Sequence, residues 1–158
     1  MAKATVKVQG LKELQKRLDR ISDEMVIKIK NQVQDSGEQI MLDAVRNAPN
    51  ELLIMGQKST PDRIDVAQRI TNVPKNNGFA SEVGIQGNNN IPIYVEFGTG
   101  TDAQSYVPTL PREIQAAARR FYVNGKGRIK KQPYLIPAFL KESPIFISEL
   151  KKILKSNV

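Results

Sequence analysis

The fold turns on residues 91–101, IPIYVEFGTGT. Apolar and other side chains alternate through IPIYVEF, the period-two pattern of a half-buried strand, and two glycines then end it. Gly98 and Gly100 supply backbone positions that a Cβ would obstruct, so the expected strand leaves through a tight turn. Ile93, Val95 and Phe97 then point one way and Tyr94 and Glu96 the other. On this reading Glu96 faces solvent or a neighbouring subunit and pairs with an arginine or lysine.

Toward the N-terminus, DVAQRITNV and ASEVGIQ read as strands around PKNNGF, where Asn77-Gly78 supplies the positive φ of a hairpin turn. GNNN, residues 87–90, makes a second turn into IPIYVEF, which completes a three-stranded antiparallel meander. Ahead of it, Leu11, Leu14, Leu18, Ile21 and Met25 recur at helical spacing. The stripe continues through Ile29, Val33, Ile40, Met41, Ala44, Val45 and Ala48 to Pro49. This predicts one long amphipathic helix, or two in series with a break near residues 20–23, where Ser22 and Asp23 can cap. Gly37 sits on the apolar stripe at a cost of about 1 kcal/mol relative to Ala, which points to another backbone crossing close by. TVKVQG, 5–10, reads as a short edge strand, and residues 49–65 as a loop carrying the apolar cluster LLIM.

Toward the C-terminus, residues 98–110 show no periodicity and PREIQAAARRF, 111–121, reads as a short helix with Pro111 in its first turn. YVNGKGRIKKQ follows as a hairpin or loop with an Asn-Gly turn at 124–125. QPYLIPAFLKESPIFISELKKILKS is a second amphipathic helical region. Pro137 suits a helix start, and Ser143-Pro144 is expected to break or kink the helix. The fold class is therefore α+β: a long N-terminal helix on a small antiparallel sheet, with a further C-terminal helix. The chain is expected to form a single domain over 1–158, with mobile loops near 54–63, 98–110 and 123–132.

A chain of 158 residues can bury roughly 70% of its unfolded surface and hold a core without staples. It contains no Cys and no His, which excludes disulfides, thiolate catalysis, zinc–thiolate sites and the commonest general base. No apolar run reaches the ~18 residues of a membrane span, and MAKATVKVQG lacks the apolar stretch of a secretory signal. The expectation is a soluble chain made and used in cytoplasm. The net charge of +8 suggests an anionic neighbour, either nucleic acid or an acidic protein surface, the alternative being that many small proteins are simply basic. The excess is concentrated between Arg112 and Lys131, where Arg119, Arg120, Lys126, Arg128 and Lys130 face a single acid, Glu113. Phe121 and Tyr122 are interleaved with these cations, one recipe for single-strand binding and also the composition of an anchored surface loop.

FGTGT lacks the lysine and the following apolar helix of a phosphate-binding loop, and it lacks the spacing of a dinucleotide fingerprint. Glu96 has no acid partner nearby in sequence, since Asp102 lies beyond the turn. The expectation is no catalytic residue, no metal, no cofactor and no enzymatic activity.

Several landmarks occur together in order: VQGLKELQKRLDRI, a long helix ending in Ala48-Pro49, YVEFGTG at 94–100, and QPYLIPAF at 132–139 preceded by YVNGKG. In this order the chain resembles the head–tail joining or tail-completion proteins of long-tailed bacteriophages, the gene-product-ten-like tail-component family. It departs from that pattern after Ala48-Pro49, where the family carries a Thr-Gly-x-Leu-Arg-like segment and this chain has NELLIMGQKSTPDRIDVAQRI. The resemblance implies a structural virion protein of the neck, made in the host cytoplasm. Identical subunits would form a six-fold ring between the head connector and the tail tube, around the DNA channel. The alternatives are a basic DNA-binding accessory protein and a tail assembly factor absent from the mature particle. The implied partners are further copies of itself, a head-completion or connector protein, the tail-tube protein and nonspecifically the genomic DNA, with no membrane. Tyr94, Glu96, Phe97, Gly98 and Gly100 are the candidate subunit-interface or strand-end residues. Pro133, Tyr134, Leu135, Pro137 and Phe139 are the expected anchor of the C-terminal helix. Arg119, Arg120, Lys126, Arg128, Lys130 and Lys131 are the candidate contacts to DNA or an acidic partner.

Overall fold

A computed structural model describes residues 23–49, 53–54, 57–58, 66–87, 90–119 and 126–155. The expected strand at 5–10, the helix over 11–21 with its break near 20–23, most of loop 54–63, and residues 120–125 lie outside these.

Helix α1, Asp23–Asn47, realises the amphipathic stripe. Asp23 and Glu24 occupy its first turn and Arg46 its last, each complementing the helix dipole. Its inward face buries Met25, Ile29, Ser36, Gly37, Asp43 and Ala44, spaced as one side of a 3.6-residue helix. Strands β1 (Leu53–Ile54) and β2 (Gln57–Lys58) form a minimal antiparallel ladder. Strands β3 (Ile70–Lys75) and β4 (Ala80–Ile85) form the main hairpin, in register from Ile70 opposite Ile85 to Lys75 opposite Ala80. Its turn takes three successive left-handed residues, with φ of 50° at Asn76, 56° at Asn77 and 90° at Gly78. Asparagine and glycine tolerate that region best, so the expected turn chemistry holds and extends one residue earlier.

The hairpin lies across α1 at Gly37. A Cβ there would strike the Ser81 side chain and come within 2.9 Å of Asn72 Nδ2. The close approach read from the sequence is present, but the crowding atoms belong to side chains rather than to a backbone. Ser81 Oγ donates to Asn72 Oδ1 across the ladder.

Residues 91–97 depart from the expectation. IPIYVEF is not a third strand but a short helix, α2 (Ile91–Phe97), so the meander is reduced to a hairpin. Pro92 is tolerated in the first helical turn, and the buried residues are Pro92, Val95 and Glu96, at the i, i+3, i+4 spacing of a helix face. Residues 98–110 likewise contain helix α3 (Thr101–Tyr106) and a 3-10 turn over Val107–Thr109. The short helix expected after Pro111 is α4 (Arg112–Ala118). The class remains α+β.

Helix α5, Leu135–Lys155, runs without interruption through Pro144. The expected break does not occur, because α5 packs on α1 on both sides of that proline. Lys141 and Glu142 meet Asp43 and Ser36, while Leu150, Ile153 and Leu154 close over Met25 and Ile29. These pairings make α5 antiparallel to α1. Pro144 itself is exposed, so its ring crowds no neighbour across the interface. The principal core joins α1, the hairpin, α2 and the start of α5 through Ala44, Ala48, Val66, Ile70, Val95, Tyr134 and Ala138. A smaller cluster of Ala103, Val107 and Ala118, with Phe97 against it, holds α3 and α4 to the end of α2. Among the described residues, no helix is long and apolar enough to cross a membrane.

Candidate functional site

The two motifs around YVEFGTG and QPYLIPAF, more than thirty residues apart, pack directly against each other. Glu96 joins them. Its side chain is only 4% exposed, on the buried face of α2, and points at the first turn of α5. Oε2 accepts the backbone N–H of Tyr134 at 2.8 Å and of Leu135 at 2.9 Å, and Oε1 accepts that of Ile136 at 3.0 Å. A helix start leaves four N–H groups without intrahelical partners. Here they belong to Tyr134, Leu135, Ile136 and residue 137, and residue 137 is a proline with no N–H to satisfy. One carboxylate and one proline therefore account for the whole set.

Burial pushes the Glu96 carboxyl above its ordinary value of 4.5, while the three N–H donors pull it down. The positive end of the α5 dipole also favours the charged form. The expectation that Glu96 faces solvent or a neighbour and pairs with a basic residue is overturned. The helical period turned it inward, and its partners are main-chain donors.

Tyr134 is buried at 1% exposure and donates its hydroxyl to Pro92 O at 3.2 Å. Burial, and then the negative charge of Glu96, raise its phenol well above the usual range. It is the anchor the sequence suggested. Leu135 packs half-buried against the principal core, and Pro133 and Pro137 are half-buried around it. Phe139 does not anchor: it is 42% exposed, one helical step round from Ala138, which takes the contact with the core. Ile136 and Glu142 do the inward work that was assigned to Phe139. Glu142 Oε1 accepts the Ser36 hydroxyl at 2.9 Å, a buried bond between the two long helices that the local pattern did not reveal.

The glycine turn has a second task. Thr99 donates its N–H to Ile129 O at 3.0 Å, and its Oγ1 accepts the Ile129 N–H at 2.9 Å. Asp102 Oδ2 accepts the Lys131 N–H at 3.0 Å, and Val95 O accepts that of Gln132 at 2.7 Å. The turn and α2 thus zip against residues 129–136. Gly98, with φ of 75°, lies so close that a Cβ would sit 3.0 Å from the Lys131 backbone nitrogen. Gly127, with φ of 126°, abuts Thr99, whose Cβ would be 2.6 Å from an added methyl. Gly100, with φ of 63°, begins α3. Tyr94 and Phe97 are half-buried, Phe97 against the α3–α4 cluster.

The basic residues divide. Lys126, Arg128 and Lys130 are exposed along the pinned segment, while Lys131 is half-buried with its Nζ 5.1 Å from the centre of the Tyr106 ring. Burial and the charge of Glu96 push the Tyr106 phenol up to about 12. Arg119 is exposed at the end of α4, and Arg120 lies outside the described residues. Compared with protein-family models, curated proteins and solved structures, the chain matches none.

Proposed function

We propose that the chain is a structural, non-enzymatic subunit of the phage neck. Identical copies form a six-fold ring that joins the head connector to the tail tube, as joining, tail-completion or terminator protein. The observation that supports this reading is the lock between YVEFGTG and QPYLIPAF, two of the landmarks on which the family resemblance rests. A carboxylate whose two oxygens accept three main-chain N–H groups at 2.8–3.0 Å caps and positions a helix, which suits a structural role. The long helices also keep large apolar side chains exposed: Ile27, Leu42 and Val45 on α1, and Phe139, Leu140, Ile145 and Ile147 on α5. Leu140 and Ile147, seven residues apart, share one helix face. Such side chains suit burial by a neighbouring copy, and a head-to-tail contact that closes on itself makes a ring.

Quantitative mass spectrometry of purified particles, scaled to the tail-tube protein, tests the proposal. The expected result is a few copies per particle, consistent with one ring. Absence from intact particles overturns the virion role and leaves an assembly factor.

A further inference from the structure

We infer that the segment Lys126–Lys130 is a phosphate-backbone contact for duplex nucleic acid, built on the glycine turn. The inference holds for the isolated chain and does not depend on the neck reading.

Three observations carry it. The first is that the backbone is held in place. Ile129 is bonded on both its N–H and its C=O to Thr99, the Lys131 N–H is bonded to Asp102, and Gly127 fits against Thr99 only because it has no side chain. Arg128 and Lys130 flank the bridged residue Ile129, so they lie about 6.5 Å apart along extended backbone. Ordering of this kind reduces the entropy that binding would otherwise cost.

The second is charge without compensation. Lys126, Arg128 and Lys130 are exposed, and among the described residues none of them pairs with an acid. Asp102, bonded just beyond the segment, is turned to the Lys131 backbone N–H.

The third is composition. Protein–protein interfaces deplete charge at their centre and place apolar and aromatic side chains there. Among the described residues this ridge has the reverse character: Tyr106 beside it is already engaged beneath the Lys131 ammonium, and the large exposed apolar side chains lie on α1 and α5. Interfaces with nucleic acid are more polar and much more positive, which is the chemistry displayed here.

The test is a fluorescence-anisotropy titration of the full chain against a labelled DNA duplex of about 20 base pairs, repeated from 50 to 200 mM salt. Three proteins are compared: wild type, the ridge variant Lys126→Gln/Arg128→Gln/Lys130→Gln, and a charge-matched control, Lys151→Gln/Lys152→Gln/Lys155→Gln, on exposed positions of α5. Circular dichroism melts confirm that all are folded. Each phosphate contact contributes about 0.9 to the slope of log K against log salt, so the ridge variant should lose about 2 to 3 in slope. Over the fourfold change in salt, that is roughly a 40-fold difference in the loss of affinity. The control should keep the wild-type slope. Equal loss in both variants would reduce the effect to net charge and overturn the assignment. Ridge-dependent binding to polyglutamate with none to the duplex would overturn it in favour of an acidic protein partner.

Discussion

Replacing Glu96 removes the acceptor for three N–H groups at the start of α5. A buried donor left without a partner costs about 1–3 kcal/mol, and groups at a helix terminus sit at the low end because water can follow the truncated side chain in. About 1 kcal/mol for each of the three gives a net loss of about 3 kcal/mol for Glu96→Ala, after the carboxylate's own desolvation is relieved. With a urea m-value of about 1–3 kcal/mol per molar, the unfolding midpoint should fall by about 1–3 M. Glu96→Gln keeps the shape and one carbonyl oxygen, which can still accept from Tyr134 and Leu135, but turns an NH2 toward the Ile136 N–H. Its loss should be about 1–2 kcal/mol, placing it between wild type and the alanine variant. Urea titrations followed by circular dichroism at helix wavelengths read all three. Midpoints that coincide with wild type would refute the capping assignment. If those same variants also failed to assemble, the carboxylate would instead be serving a neighbouring subunit.

The same carboxyl predicts a pH dependence. Because burial raises it above 4.5, the folded state keeps a proton that the unfolded chain has released. Wild-type stability relative to Glu96→Gln should fall as pH rises from 4.5 through the raised value and then level off, as urea midpoints across pH 4–7 would show. Asp43 gives the opposite sign: its bond to Lys141 Nζ at 2.6 Å holds its carboxyl below 3.8, with Arg46 and Gln39 adding to the effect. Wild-type stability relative to Asp43→Asn should persist above pH 3.8 and disappear as pH falls through the lower folded value. Gly127→Ala forces a Cβ against Thr99 at φ of 126° and should cost about 1–3 kcal/mol, a fall of roughly 2–12 °C in Tm by calorimetry. Pro144→Ala restores an N–H inside α5 and should raise stability by up to about 3 kcal/mol; a lowered Tm would contradict an uninterrupted helix.

Much of the framework was legible in local pattern. The apolar stripe ending at Ala48-Pro49 is α1, the Asn-Gly turn closes the β3–β4 hairpin, Pro111 precedes a short helix, and the amphipathic C-terminal region is α5. Each rests on many residues repeating one period, or on a turn that few residue types can adopt. Of the expected anchors in QPYLIPAF, Tyr134 is buried and Phe139 is exposed, a difference that the local motif does not distinguish.

Residues 91–97 were not decided locally. Over seven residues, alternation and the i, i+3, i+4 spacing of Pro92, Val95 and Glu96 are both present, and period alone cannot choose between them. The choice comes from contacts far along the chain. As a helix the segment turns Glu96 onto N–H groups 38 to 40 residues later and offers Pro92 O to the Tyr134 hydroxyl. As a strand it would leave both the carboxylate and the start of α5 without those partners. Pro144 shows the same override: its local preference to end a helix yields to packing against α1 on either side. Local periodicity determined which segments could be regular, while satisfaction of buried polar groups by distant partners decided what the shortest of them became.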